Sequence, residues 1–187
     1  MKFMEKVKRG MALALLAGFL LSLLPAAGAR ADDYWRYAVF KGGYYGPQDE
    51  FGEDDFDGKD YWELGLGLDI GIIGLEIGAG YMKTENDFLE VRTIPVLGTG
   101  KLQFPILFLY PYLEAGAGTY FSDIDPVAGN SGSQTDVGYH AGLGVDFRMD
   151  RLLVGVEARY LWIESEYENE DLDLDGLTVT GNLGFRF

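Results

Sequence analysis

Residues 61–70 read YWELGLGLDI. One alternate set is Trp62, Leu64, Leu66, Leu68 and Ile70; the other is Glu63, Gly65, Gly67 and Asp69. A period of two marks a β-strand with one apolar face, because successive side chains point to opposite sides. The company the carboxylates keep is the informative part. Glycines repeated on a solvated strand face cost stability and add no packing. Inside a narrow barrel they leave room for long side chains from neighbouring strands. The stretch therefore asks whether its apolar face is an interior or an exterior.

The same alternation returns in LEIGAGY (75–81), YPYLEAGAGTYF (110–121), VGYHAGLGVDFRM (137–149), LLVGVEARYLW (152–162) and LTVTGNLGFRF (177–187). Two further runs are less regular. Residues 34–45, YWRYAVFKGGYY, are aromatic on both faces; residues 89–102, LEVRTIPVLGTGKL, contain Pro95, which cannot donate to a ladder and predicts a bulge or local break. Alternation does not set the register of these two. Together the runs predict an all-β protein: an eight-stranded antiparallel up-and-down barrel. The connections alternate between long polar stretches (Gly46–Asp60, 82–88, 122–135, Ile163–Gly176) and short ones (71–74, 103–108, 149–151). That places both termini at the short-turn end.

A soluble barrel would turn the apolar face inward; an outer-membrane barrel would turn it toward lipid. Glycine pairs on the polar face, at Gly65/Gly67, Gly78/Gly80, Gly116/Gly118 and Gly142/Gly144, favour the second. So do two aromatic bands on the apolar face. Trp62, Tyr81, Phe121, Tyr139, Tyr160 and Trp162 lie at the loop ends; Phe147, Phe185 and Phe187 lie at the turn ends. Such girdles flank the apolar belt of membrane barrels. Asymmetric connections point the same way, with acidic loops extracellular and both termini periplasmic in a bacterial outer membrane.

The strings YPYLEAGAGTYF, GYHAGLGVDFRM and VGVEARYLW resemble strand motifs of the small OmpA/OmpW-type outer-membrane barrel family. The terminal GFRF resembles the signal by which such proteins reach the barrel-assembly machinery, so the resemblance implies that partner through Phe187. It is specific for architecture and weak for activity. With no peptidoglycan-binding domain after the barrel, a cell-wall tether is not implied.

Residues 1–31 have the layout of a secretory signal peptide: a basic start, a 14-residue apolar run and Ala29/Ala31 before the cut. The run falls short of the roughly 20 residues a spanning helix needs. Residues 32–187 then form the barrel domain. They carry 10 basic and 29 acidic residues, a net charge of −19, which argues against nucleic-acid partners. The absence of cysteine excludes disulfides and a lipoprotein anchor. The expected partners are outer-membrane lipids and lipopolysaccharide; the oligomeric state is left open.

On this register the interior holds Glu63, Asp69, Glu76, Glu114, His140, Asp146, Arg148, Glu157, Arg159 and Arg186. Buried charges need partners or water. The expectation is a salt-bridge plug, with a structural or surface-interaction role. The first alternative is a narrow channel or transporter for small or hydrophobic solutes. The second, a lipid-A-modifying enzyme, would need Ser122 and the lone histidine, His140, to meet. No catalysis is expected. The first and last loops carry seven acids each, and Asp171, Asp173 and Asp175 match the opening of an EF-hand loop without its closing glutamate. Solvated loops are expected there, with weak Ca²⁺ or Mg²⁺ binding as the alternative, and no other cofactor.

Overall fold

The computed structural model describes residues 34–47, 59–85, 89–126, 132–167, 170–173 and 175–187. Residues 1–31, expected as a signal peptide, and the middle of the first acidic loop lie outside them. The strands are β1 (Tyr34–Pro47), β2 (Lys59–Ile70), β3 (Ile73–Glu85), β4 (Leu89–Gln103), β5 (Leu109–Pro126), β6 (Gly132–Met149), β7 (Leu152–Tyr167), β8 (Glu170–Asp173) and β9 (Gly176–Arg186). Every pairing is antiparallel, and β1 meets β9 from Tyr37↔Arg186 to Pro47↔Gly176, which closes the sheet on itself. Eight long strands form an up-and-down barrel. The four-residue β8 prolongs β9 along β7.

At one end the strands reverse in two residues. Ile70 pairs with Ile73 across Gly71 and Ile72, and of these only Gly71 has positive φ, at 61°, as a type II′ turn requires. Met149 pairs with Leu152 across Asp150, at φ 51°. Ile106 bridges to Leu109 across Leu107, at φ 59°.

At the other end the ladders run on past the expected strand limits. The β5–β6 pairing reaches Ile124↔Gly132, and the β7–β8 pairing reaches Tyr167↔Glu170. Much of 122–135 and 163–176, expected as loop, is therefore polar β-ribbon. Once a ribbon leaves the apolar belt, hydrophobicity no longer alternates although the backbone keeps pairing, so the pattern disappears before the strand does. One register links Leu152↔Phe185, Leu161↔Gly176 and Tyr167↔Glu170, so β8 and β9 follow β7 without a bulge. Pro95 does make a local break: β3–β4 pairing stops after Ala79↔Val96 and resumes at Met82↔Thr93 in the same register.

Burial alternates along each strand, and the charged side of the strand is the buried one. Leu64, Leu113, Leu143, Val156, Val179 and Leu183 are exposed on the outside, while Glu63, Glu114, Glu157 and Arg159 are buried within. The barrel is apolar outside and polar inside.

Candidate functional site

The interior is filled in tiers that follow the order of inward residues along each strand. Nearest the turns come Asp69, Gln103, Asp146, Arg148 and Arg186; in the middle come Lys41, Glu63, Glu76, Lys101, Glu114, Glu157 and Arg159, all buried. Toward the loops an apolar tier follows, in which Tyr45, Tyr61, Met82, Leu97, Tyr120, Leu161 and Ile163 pack as one cluster.

The middle tier is a web centred on three cations. The Lys41 ammonium lies 2.7 Å from Glu76 Oε1, 3.0 Å from Glu157 Oε2 and 3.4 Å from Glu63 Oε1. Lys101 Nζ lies 2.9 Å from Glu76 Oε2 and 3.9 Å from both Glu114 and Glu157. Arg159 spreads its fork over three carboxylates: Nε to Glu114 at 2.7 Å, Nη1 to Glu63 at 2.9 Å and Nη2 to Glu157 at 2.8 Å. Its planar donors suit such sharing in a way a point charge does not. Tyrosines supply the remaining donors. Tyr37 donates to Glu76 and Tyr112 to Glu157, each at 2.9 Å, and Tyr61 donates to Glu63. The glycine face makes this possible: a Cβ on Gly67 would lie 2.1 Å from the Tyr37 ring, and one on Gly78 2.5 Å from Glu63 Oε1.

In the turn-end tier, Arg148 Nη1 meets Asp69 Oδ2 at 2.9 Å and Nη2 meets Asp146 Oδ2 at 3.3 Å. Strands β6 and β2 are diametrically opposed in the ring, so the Asp69 pair is a strut across the lumen. Gln103 donates to the other Asp69 oxygen at 2.6 Å. Arg186 stands apart, 4.3 Å above the Trp35 ring. His140 joins neither web; its Nε2 lies 3.0 Å from Thr99 Oγ1.

All ten charged and histidine positions read from the alternation thus turn inward and are buried. Sequence reasoning missed Lys41 and Lys101, which belong to β1 and β4, where alternation set no register. Charge balance was the available signal, since the regular strands place six carboxylates inside against three arginines.

The nine girdle aromatics face outward. Trp62, Tyr81, Tyr139, Trp162, Phe185 and Phe187 are exposed, and Phe121, Phe147 and Tyr160 are half-buried by neighbours. Tyr160 packs on Trp162 at 4.8 Å, Phe147 on Phe108 at 5.0 Å and Trp62 on Phe40 at 5.4 Å. Ser122 faces inward with its hydroxyl 2.9 Å from Thr93. It pairs with Gln134, six residues up β6 from His140, about 20 Å away at roughly 3.3 Å per residue. The two are not brought together. Asp171 and Asp173 lie in β8, their side chains outside the described residues, and Asp175 Oδ1 accepts a hydrogen bond from Ile163 N at 2.8 Å.

A barrel with an apolar exterior, a charged interior and two-residue turns at one end defines an outer-membrane β-barrel protein. The chain belongs to the outer membrane protein beta-barrel domain family, which matches residues 13–187. It is similar in fold to Neisserial surface protein A, with 14% identity, a TM-score of 0.63, and coverage of 83% of this chain and 97% of that one. The N-terminal β-barrel domain of Pseudomonas aeruginosa OprF gives 13% identity, a TM-score of 0.59 and coverage of 83% and 98%. Ail, the attachment invasion locus protein of Yersinia pestis, gives 15% identity, a TM-score of 0.51 and coverage of 82% and 97%. No curated protein matches the chain.

Proposed function

We propose that the protein serves the bacterial outer membrane as a closed, non-catalytic barrel, with a structural or surface-interaction role exercised through its acidic loop end. Strand ribbons at one end and two-residue turns at the other support an orientation with the ribbons extracellular. The observation that carries the reading is the filled interior. An ion entering from the loops meets first the apolar tier of Tyr45, Met82, Leu97 and Leu161, then the web around Arg159. Leaving any of those charges unpaired in a desolvated lumen costs several kcal/mol. Reconstitution into planar bilayers tests it. Silence over many insertions is expected, and reproducible unitary steps would refute closure.

One observation favours a second reading, a route for hydrophobic solutes through the wall. The ladder gap at Pro95 borders an apolar groove of about 890 Å³ on the outer surface, lined in part by Ala79, Gly80, Tyr81 and Ile94. On that reading, a fluorescent alkane analogue crosses proteoliposomes faster with the wild type than with Pro95→Val. Equal rates would eliminate it.

A further inference from the structure

Among the described residues, five cations face the lumen. Lys41, Lys101, Arg148 and Arg159 are each ion-paired. Arg186 is buried at 8% exposure, yet among the described residues it makes no ion pair and no side-chain hydrogen bond, and its Nε is buried without a partner. Its one side-chain contact of note is the Trp35 indole, which holds the face of the guanidinium at 4.3 Å. A cation–π contact occupies the face of the plane and leaves the edge donors unused.

Other charged groups lie at the same end of the barrel. Backbone bonds place Arg186 beside Arg151, through N to O at 2.7 Å, and Phe187 beside Arg36 at 2.9 Å. Arg148 lines the same mouth, stacked 4.2 Å from Tyr110. Of the carboxylates at this mouth, Asp69 and Asp146 are engaged by Arg148, while Arg36 lies on the outward side of β1, in the alternate set to the buried Tyr37. That leaves Arg186 as the lumen-facing cation without a carboxylate partner among the described residues.

We propose that the turn-end mouth is a binding site for a compact oxyanion, a carboxylate or a phosphate, taken by the free edge of Arg186 with Trp35 as its wall and Arg148 as the second positive charge. Two oxygens on one centre match the guanidinium fork and form the charge-assisted pair that Arg186 lacks. The site extends the account of a closed barrel: its ligand docks at the mouth without passing through, and its binding is independent of conductance.

The test uses the protein in detergent micelles, titrated with inorganic phosphate and separately with succinate, against sodium chloride at equal ionic strength. The readouts are the Arg186 Nε–Hε and Trp35 indole NMR resonances. The expected result is a saturable shift of both with at least one oxyanion, weakened about ten- to a hundredfold in Arg186→Gln and kept in Arg151→Gln. Phosphate alone saturating assigns a phosphate ligand, and succinate alone a carboxylate. Native folding of Arg186→Gln is checked by gel mobility without boiling. Should it fail to fold, Trp35→Leu takes its place, with weaker binding expected. Equal shifts with chloride, or none with either oxyanion, would overturn the proposal.

Discussion

Lys41 and Lys101 decide whether the interior is tolerable, because four glutamates converge where Arg159 is the one other cation of the web. Neither was legible from alternation. In β1, Tyr37 and Tyr45 face inward while Phe40 and Tyr44 face outward, so aromatics sit on both sides; in β4, Leu97 and Val91 face inward and Arg92 does not. The glutamates were legible, because each alternates with Leu, Ala, Val or Ile in a strand whose outer face is uniformly apolar. Lys41→Met should cost about 3–5 kcal/mol in urea unfolding of the micelle-bound protein, since it leaves Lys101 and Arg159 alone to offset four buried glutamates. A loss below about 1 kcal/mol would mean that water already solvates the web. Gly67→Ala should also destabilise, by about 1–3 kcal/mol, because its Cβ would fall on the Tyr37 ring.

Among the elements, the turns and the break in β4 carry the local strain. Leu107 holds φ 59° at the tip of the β4–β5 turn, a conformation that costs a branched L-residue about 1–2 kcal/mol. Leu107→Gly is expected to raise unfolding stability by about 1 kcal/mol, and an unchanged midpoint would count against that turn geometry. Pro95 leaves β3 and β4 unpaired over two positions. In Pro95→Val the new amide at position 95 should be protected from hydrogen exchange; exchange at the solvent rate would show that the gap has another cause. The proline announced this break in the sequence. The ribbon extensions of β5–β6 and β7–β8 were not legible, because no buried face imposes a hydrophobic period on them.

At the scale of the whole molecule, the usual distribution is inverted: exposed Leu, Val and aromatic residues lie outside, and buried Glu, Lys and Arg inside. Closure of β1 on β9 leaves no sheet edge, which a membrane demands of any strand-built protein. Such a barrel should resist detergent until boiled, so boiled and unboiled samples are expected to migrate differently on a denaturing gel; identical migration would argue against it. The inversion itself has a more direct test. Since the chain lacks cysteine, single cysteines at Leu64, Leu143, Val156 and Leu183 can carry spin labels in lipid bilayers. The prediction is strong relaxation by lipid-soluble oxygen and little by a water-soluble nickel chelate at all four sites. Labels at these positions that are shielded from both reagents would place the apolar face in the barrel's interior and contradict the account.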